Sequence, residues 1–144
     1  MYRSFFIQLG ISAIAMFLAM YAMIASLAHF SFNLNNLYMT LVMVAPMAVI
    51  MLLFMAGMYK DKRMNAIILV VSAVVFVGAL LGIRTQTPIG DIELVRAMIP
   101  HHSGAILMCE QAKLADPEID KLCEGIIASQ EQEIAQMQAW LRTH

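Results

Sequence analysis

Residues 64–91 read MNAIILVVSAVVFVGALLGIRTQTPIGD. An uncharged apolar run ends at Arg84, and a short polar stretch then leads to Asp91. About 20 apolar residues suffice to cross a bilayer as a helix. Two further runs, residues 5–28 and 37–59, are equally long and equally free of charge. A single charge at the centre of such a helix would oppose insertion by at least ~2.5 kcal/mol. The first 83 residues hold five charged side chains, Arg3, Lys60, Asp61, Lys62 and Arg63, while the remaining 61 hold fourteen. The chain therefore divides into a three-helix transmembrane anchor (1–83), a linker (84–90) and a water-exposed part (91–144).

The composition agrees. The chain is 61% hydrophobic and 13% charged, against about 45–50% and about 25% in soluble domains. So much apolar surface excludes a disordered chain, and a net charge of −1 excludes a strongly basic nucleic-acid binder. Two cysteines are too few for a disulfide scaffold. The first run resembles a signal peptide ending at Ser26-Leu27-Ala28, but its apolar stretch exceeds the usual ~7–15-residue core. We read it as a retained helix. With three crossings, Arg3 and the 60–63 loop share one side, and excess positive charge marks the cytoplasm. The expected location is a bacterial inner membrane, N-terminus cytoplasmic, with the C-terminal part in the periplasm or outside the cell.

Methionines recur at positions 39, 43, 47, 51, 55 and 58, and again at 16, 20 and 23. Thioethers are soft ligands that suit Cu(I), but a four-residue step winds round a 3.6-residue helix. No acid, histidine or cysteine accompanies them, so packing at helix interfaces is the expected role. Pro46 is expected to kink the second helix, and His29 reads as an interfacial polar residue.

Beyond the linker, Asp91 is a candidate N-cap for a helix running to about Leu114. Pro117 suits the first turn of the next helix, which runs to about Leu141. The two form an antiparallel hairpin. In the last helix Cys123, Ile126, Ile127, Gln130, Ile134, Met137 and Leu141 share one stripe; Gln130, if buried there, needs a partner. In the preceding helix the expected inner stripe is Leu94, Met98, His101, Ala105, Met108 and Ala112, flanked by His102 and Cys109. Folding about residues 116–117 brings His101 and His102 towards Gln130 and Glu133, with methionines above and below. It also brings Cys109 within one residue of Cys123. Pro100 removes a helical hydrogen bond beside the histidine pair, which would either aim both imidazoles at one point or mark a plain kink.

Residues 98–108, MIPHHSGAILM, and 130–141, QEQEIAQMQAWL, resemble the two hallmarks of the domain-of-unknown-function 305 family, with the Asp116-Pro117-Glu118 turn between them. The resemblance covers about residues 88–142. It implies a ferritin-like helical fold, copper association outside the cytoplasm, and metal roles for His101, His102, Met98, Met108 and Met137, with Glu133 and Gln130 in the same layer. The chain departs at Leu107, where an acid is frequent, and at Cys109, where a small apolar residue is usual. It has one hairpin where some members have two.

Adjacent histidines point about 100° apart on a helix, so they do not readily share one metal. The plainer reading is a hydrogen-bonded core pair. Cys109 and Cys123 have three readings: a disulfide in an oxidising compartment, copper thiolates, or buried free thiols. No Glu-x-x-His di-iron motif, phosphate loop or dinucleotide fingerprint is present, so no enzyme activity is expected. One hairpin of this size leaves a flank of each stripe exposed. We expect homodimerisation into a four-helix bundle, with the membrane helices as a second source of cover. The leading expectation is a membrane-anchored protein, in contact with membrane lipid, that sequesters or relays copper, Cu(I) or Cu(II), with zinc as the other candidate ion. The alternative is a dimerisation or docking module with structural histidines.

Overall fold

A computed structural model describes residues 2–144. Among the described residues there are five α-helices: α1 (Tyr2–Ala19), α2 (Leu34–Phe54), α3 (Lys62–Thr85), α4 (Asp91–Gln111) and α5 (Pro117–Leu141). Short 3-10 turns occupy Met20–Met23 and Leu27–His29, and there is no strand among the described residues. Three segments, Tyr2–Met23, Leu34–Phe54 and Lys62–Thr85, are long and apolar enough to cross a membrane. The all-helical fold with three membrane-length helices and a helical pair is as expected.

The helix ends follow local chemistry. Asp61 caps α3 by accepting the N–H groups of Arg63 (2.9 Å) and Met64 (3.1 Å). Gln86 stops it in a left-handed conformation, φ 54°. Asp116 caps α5 through the Glu118 N–H (2.8 Å), with Pro117 in the first turn. At α4 the expected cap is corrected: Gly90 is the N-cap and Asp91 is the first helical residue. Asp91 and Glu93 then lie in the first turn, where the helix dipole favours carboxylates. Pro46 and Pro100 both sit inside continuous helices.

The chain forms two compact units. One holds α1 and Asn35–Pro88. Its core is Phe5, Ala48, Leu52, Tyr59 and Ile68. Tyr2 donates its hydroxyl to Asn65 Oδ1 (2.8 Å) and meets the Asp61 carbonyl (3.2 Å), and the rings of Phe5 and Tyr59 meet edge to face at 5.5 Å. The start of α1 thus lies beside the 60–63 connection, as three crossings require. Met51, Met55 and Met64 pack against this core, while Met39 and Met43 are exposed. The methionines of α2 are thus divided between core and surface. Small buried residues, Ala45, Ala48, Ser72, Ala79 and Gly82, let the helices approach closely. At Gly82 a Cβ would stand 2.9 Å from the Tyr38 ring, whose hydroxyl donates to the Thr87 carbonyl at 2.7 Å.

The second unit comprises Met20–Leu34 and Ile89–His144. The apolar run expected to cross as residues 5–28 leaves its α-helix at Ala19, and its last part folds with the hairpin. The core of this unit is Ile99, Ile106 and Ile134, with Ala25, Val95, Ile127, Met137 and Leu141 packed around it. Every residue of the stripe expected on α5 is buried or half-buried. The α4 stripe is rotated by about one residue. Its sheltered positions are Val95, Ile99, His102, Ser103 and Ile106, while Leu94, His101, Met108 and Ala112 face outward.

Cys109 and Cys123 are joined in a disulfide, with their Cα atoms 5.3 Å apart. Of the three sequence readings, this is the one realised. The bond closes the hairpin beside its turn, across a separation of 14 residues. A loop of that length stabilises the folded state by about 3 kcal/mol. A Cys109→Ser/Cys123→Ser variant should lose about that much, read as faster amide exchange across the turn-proximal halves of α4 and α5. Unchanged exchange would mean that packing alone closes the turn.

Candidate functional site

The site grows from the stripe of α4. Fully buried Ser103 points at residues 20–34, and its neighbour His102, about 100° round the helix, points at α5. Ser103 Oγ accepts the Ala25 N–H at 2.7 Å and meets His29 Nδ1 at 2.8 Å. On the α5 side, Gln138 Nε2 donates to the Ala28 carbonyl at 3.1 Å. At the start of α4, Glu93 Oε2 accepts the Leu34 N–H at 3.1 Å, and Glu93 also pairs with Arg96. Tyr21 donates its hydroxyl to the Ser31 carbonyl at 2.8 Å, closing residues 21–31 into a compact loop. His29 and Ser103 are the functional-looking pair that sequence reasoning missed. His29 lies one residue beyond the apolar run 5–28 and reads as an interfacial residue; the α-helix of that run ends at Ala19, and the loop that follows carries His29 to Ser103.

His102 is bonded at both ring nitrogens. Nδ1 meets the Met98 carbonyl at 2.8 Å, and a carbonyl only accepts, so Nδ1 carries hydrogen. Nε2 lies 2.6 Å from Glu133 Oε2. A bare Nε2 lone pair against a bare carboxylate would repel, so the contact encloses a proton. His102 is buried, whereas the Glu133 side chain is about half exposed (51%). Glu133 is thus the wet end of the pair.

A cavity of about 580 Å³ opens beside this contact. Its walls include Met98, His102, Glu133, Met137 and Trp140. Four of the six principal ligand candidates from the sequence are therefore brought together: Met98, His102, Glu133 and Met137. The other two are not. His101 is exposed, its ring 6.1 Å from that of His102 and inclined by 63°. Met108 is 60% exposed and lies outside the cavity lining. Gln130 is half-buried and also outside the lining, so solvent can satisfy part of its amide. Cys109 and Cys123 are taken up by their disulfide.

Among the described residues, no group of three or more histidine, cysteine, aspartate or glutamate side chains could hold a metal ion. The donor set at the cavity is one imidazole, one carboxylate and two thioethers. The Met98 carbonyl orients the imidazole through Nδ1, leaving Nε2 as the potential ligand. This is the usual division of labour in histidine metal sites.

Comparison with known proteins adds the following. A family model described as "Domain of unknown function (DUF305)" matches residues 82–144. An uncharacterized protein of Acanthamoeba polyphaga mimivirus is 36% identical over 118 residues, spanning 81% of this chain and 76% of that protein. This stretch is longer than the family match, so the likeness extends into the membrane helices. No solved structure matches the chain.

Replacing Ser103 by alanine leaves the Ala25 N–H without its acceptor and His29 without its partner. The expected loss is about 1–3 kcal/mol, seen as roughly tenfold or greater acceleration of amide exchange in residues 24–29. Unchanged exchange there would show that packing alone holds the loop.

Proposed function

The chain belongs to the DUF305 family, and we propose that it is a membrane-anchored metal-binding protein that sequesters or relays copper without turnover. The observation that carries this reading is the meeting of Met98, His102, Glu133 and Met137 at one cavity. Two thioethers with one imidazole form a soft set suited to Cu(I). Zinc favours several imidazoles, thiolates or carboxylates, and no such trio is present among the described residues.

The ion is cargo in this scheme. His102 Nε2 and the thioethers of Met98 and Met137 would hold it, the His102–Glu133 contact opening as it loads, and Glu133, at the solvent edge, would supply the negative charge that draws it in. Trp140 and Leu94 line the same walls and exclude water.

The proposed location is a bacterial inner membrane with α4 and α5 facing the periplasm. Two features support it: Arg3 lies on the same side as the positive 60–63 loop, and a closed disulfide belongs in an oxidising compartment. We propose further that two hairpins pair into a ferritin-like four-helix bundle. Leu94, Met108, Ile119 and Leu122 remain exposed on the hairpin, an apolar surface suited to a second copy.

One observation favours a docking module with structural histidines instead: both nitrogens of His102 are already bonded within the hairpin. Anaerobic Cu(I) titration of the full-length protein against a competing chelator separates the two. The copper reading expects one tight site in the wild type, retained in His101→Ala, weakened in Met137→Leu and lost in His102→Ala. Equal stoichiometry and affinity in wild type and His102→Ala would overturn it and leave the docking module.

A further inference from the structure

The loop between the first two membrane-length helices has two unlike faces. One is polar in its bonding. The Ala25 N–H, His29 Nδ1 and the Ala28 carbonyl are all engaged by Ser103 and Gln138. The other is apolar and exposed. Leu27 is 88% exposed, Phe32 61%, Met23 52% and Phe30 50%. The loop is held from within by Tyr21 to Ser31 and by contact of the Tyr21 and Phe30 rings, 4.4 Å apart and inclined by 43°.

We infer that this face, Leu27, Phe30 and Phe32 foremost, is seated in the lipid surface. Connectivity names the occupant. The loop leaves one membrane-length segment at Met23 and enters the next at Leu34, so both its ends are at a bilayer boundary. Residues 4–59 contain no Asp, Glu, Lys or Arg, and no formal charge opposes seating the loop among headgroups. Aromatic and aliphatic side chains presented from such a position enter the headgroup–acyl boundary to a depth of about 5–10 Å. The inference does not depend on metal binding.

The test uses the full-length protein in phosphatidylcholine vesicles, labelled without reductant so that Cys109–Cys123 stays closed. A nitroxide is attached at Leu27→Cys or, independently, at Phe32→Cys, with Lys121→Cys as a water-exposed reference and Val74→Cys as a mid-span reference. The expected ratio of oxygen to nickel-chelate accessibility at 27 and 32 is several-fold above that at 121 and below that at 74. Labels at both positions that partition like the one at 121 would overturn the inference. So would labels immobilised and shielded from both reagents, which would mean that protein covers this face. Either loop position alone decides the matter if the other variant fails to fold.

Discussion

The hydroxyl of Ser103 is the joint on which the second unit turns. A chain leaving a bilayer brings backbone N–H groups that must find acceptors. Ser103, fully buried, supplies one to Ala25 and a partner to His29. Because successive residues on a helix point about 100° apart, fixing Ser103 towards the loop fixes His102 towards α5. The contact of His102 with Glu133 is thus a consequence of where the loop lies. The cavity chemistry rests on a hydrogen bond made on a different face of the same helix.

This arrangement explains which parts of the fold were legible in the sequence. The α5 stripe is correct at every position because its apolar spacing has one periodicity and its main packing partner is α4. The α4 stripe is out of phase by about one residue because α4 has two partners, and the buried arc of a helix between two neighbours is not the centre of its apolar stripe. The second partner was hidden in an apolar run. Nothing between Ala19 and Ala28 breaks a helix by composition. The break exists because Tyr21, Ala25 and His29 are bonded elsewhere.

The phase difference also accounts for the site. Met137 and Glu133 keep their places because α5 is in phase, and Met98 keeps its place because it lies on the side of the α4 stripe towards which the buried arc turns. His101 and Met108 sit where that rotation carries them into solvent. His102, placed on a flank, becomes the buried histidine. Pairing of the cysteines was legible to within one residue, because both lie close to the turn and little register can accumulate there. Their bonding state was not legible, since spacing alone does not distinguish two adjacent thiols from a bond.

The disulfide has a mechanical meaning. It joins α4 and α5 beside the turn, whereas the cavity lies towards the opposite end, between the early residues of α4 and the late residues of α5. Two stiff rods riveted at one end act as levers about that point. Far from the rivet, their spacing at Met98 and Met137 is held by the contact of His102 with Glu133 and by the packing of Val95, Ile99, Ile134 and Leu141. The helical pair therefore has its covalent closure at one end and its cavity at the other, where side-chain contacts alone hold the walls together.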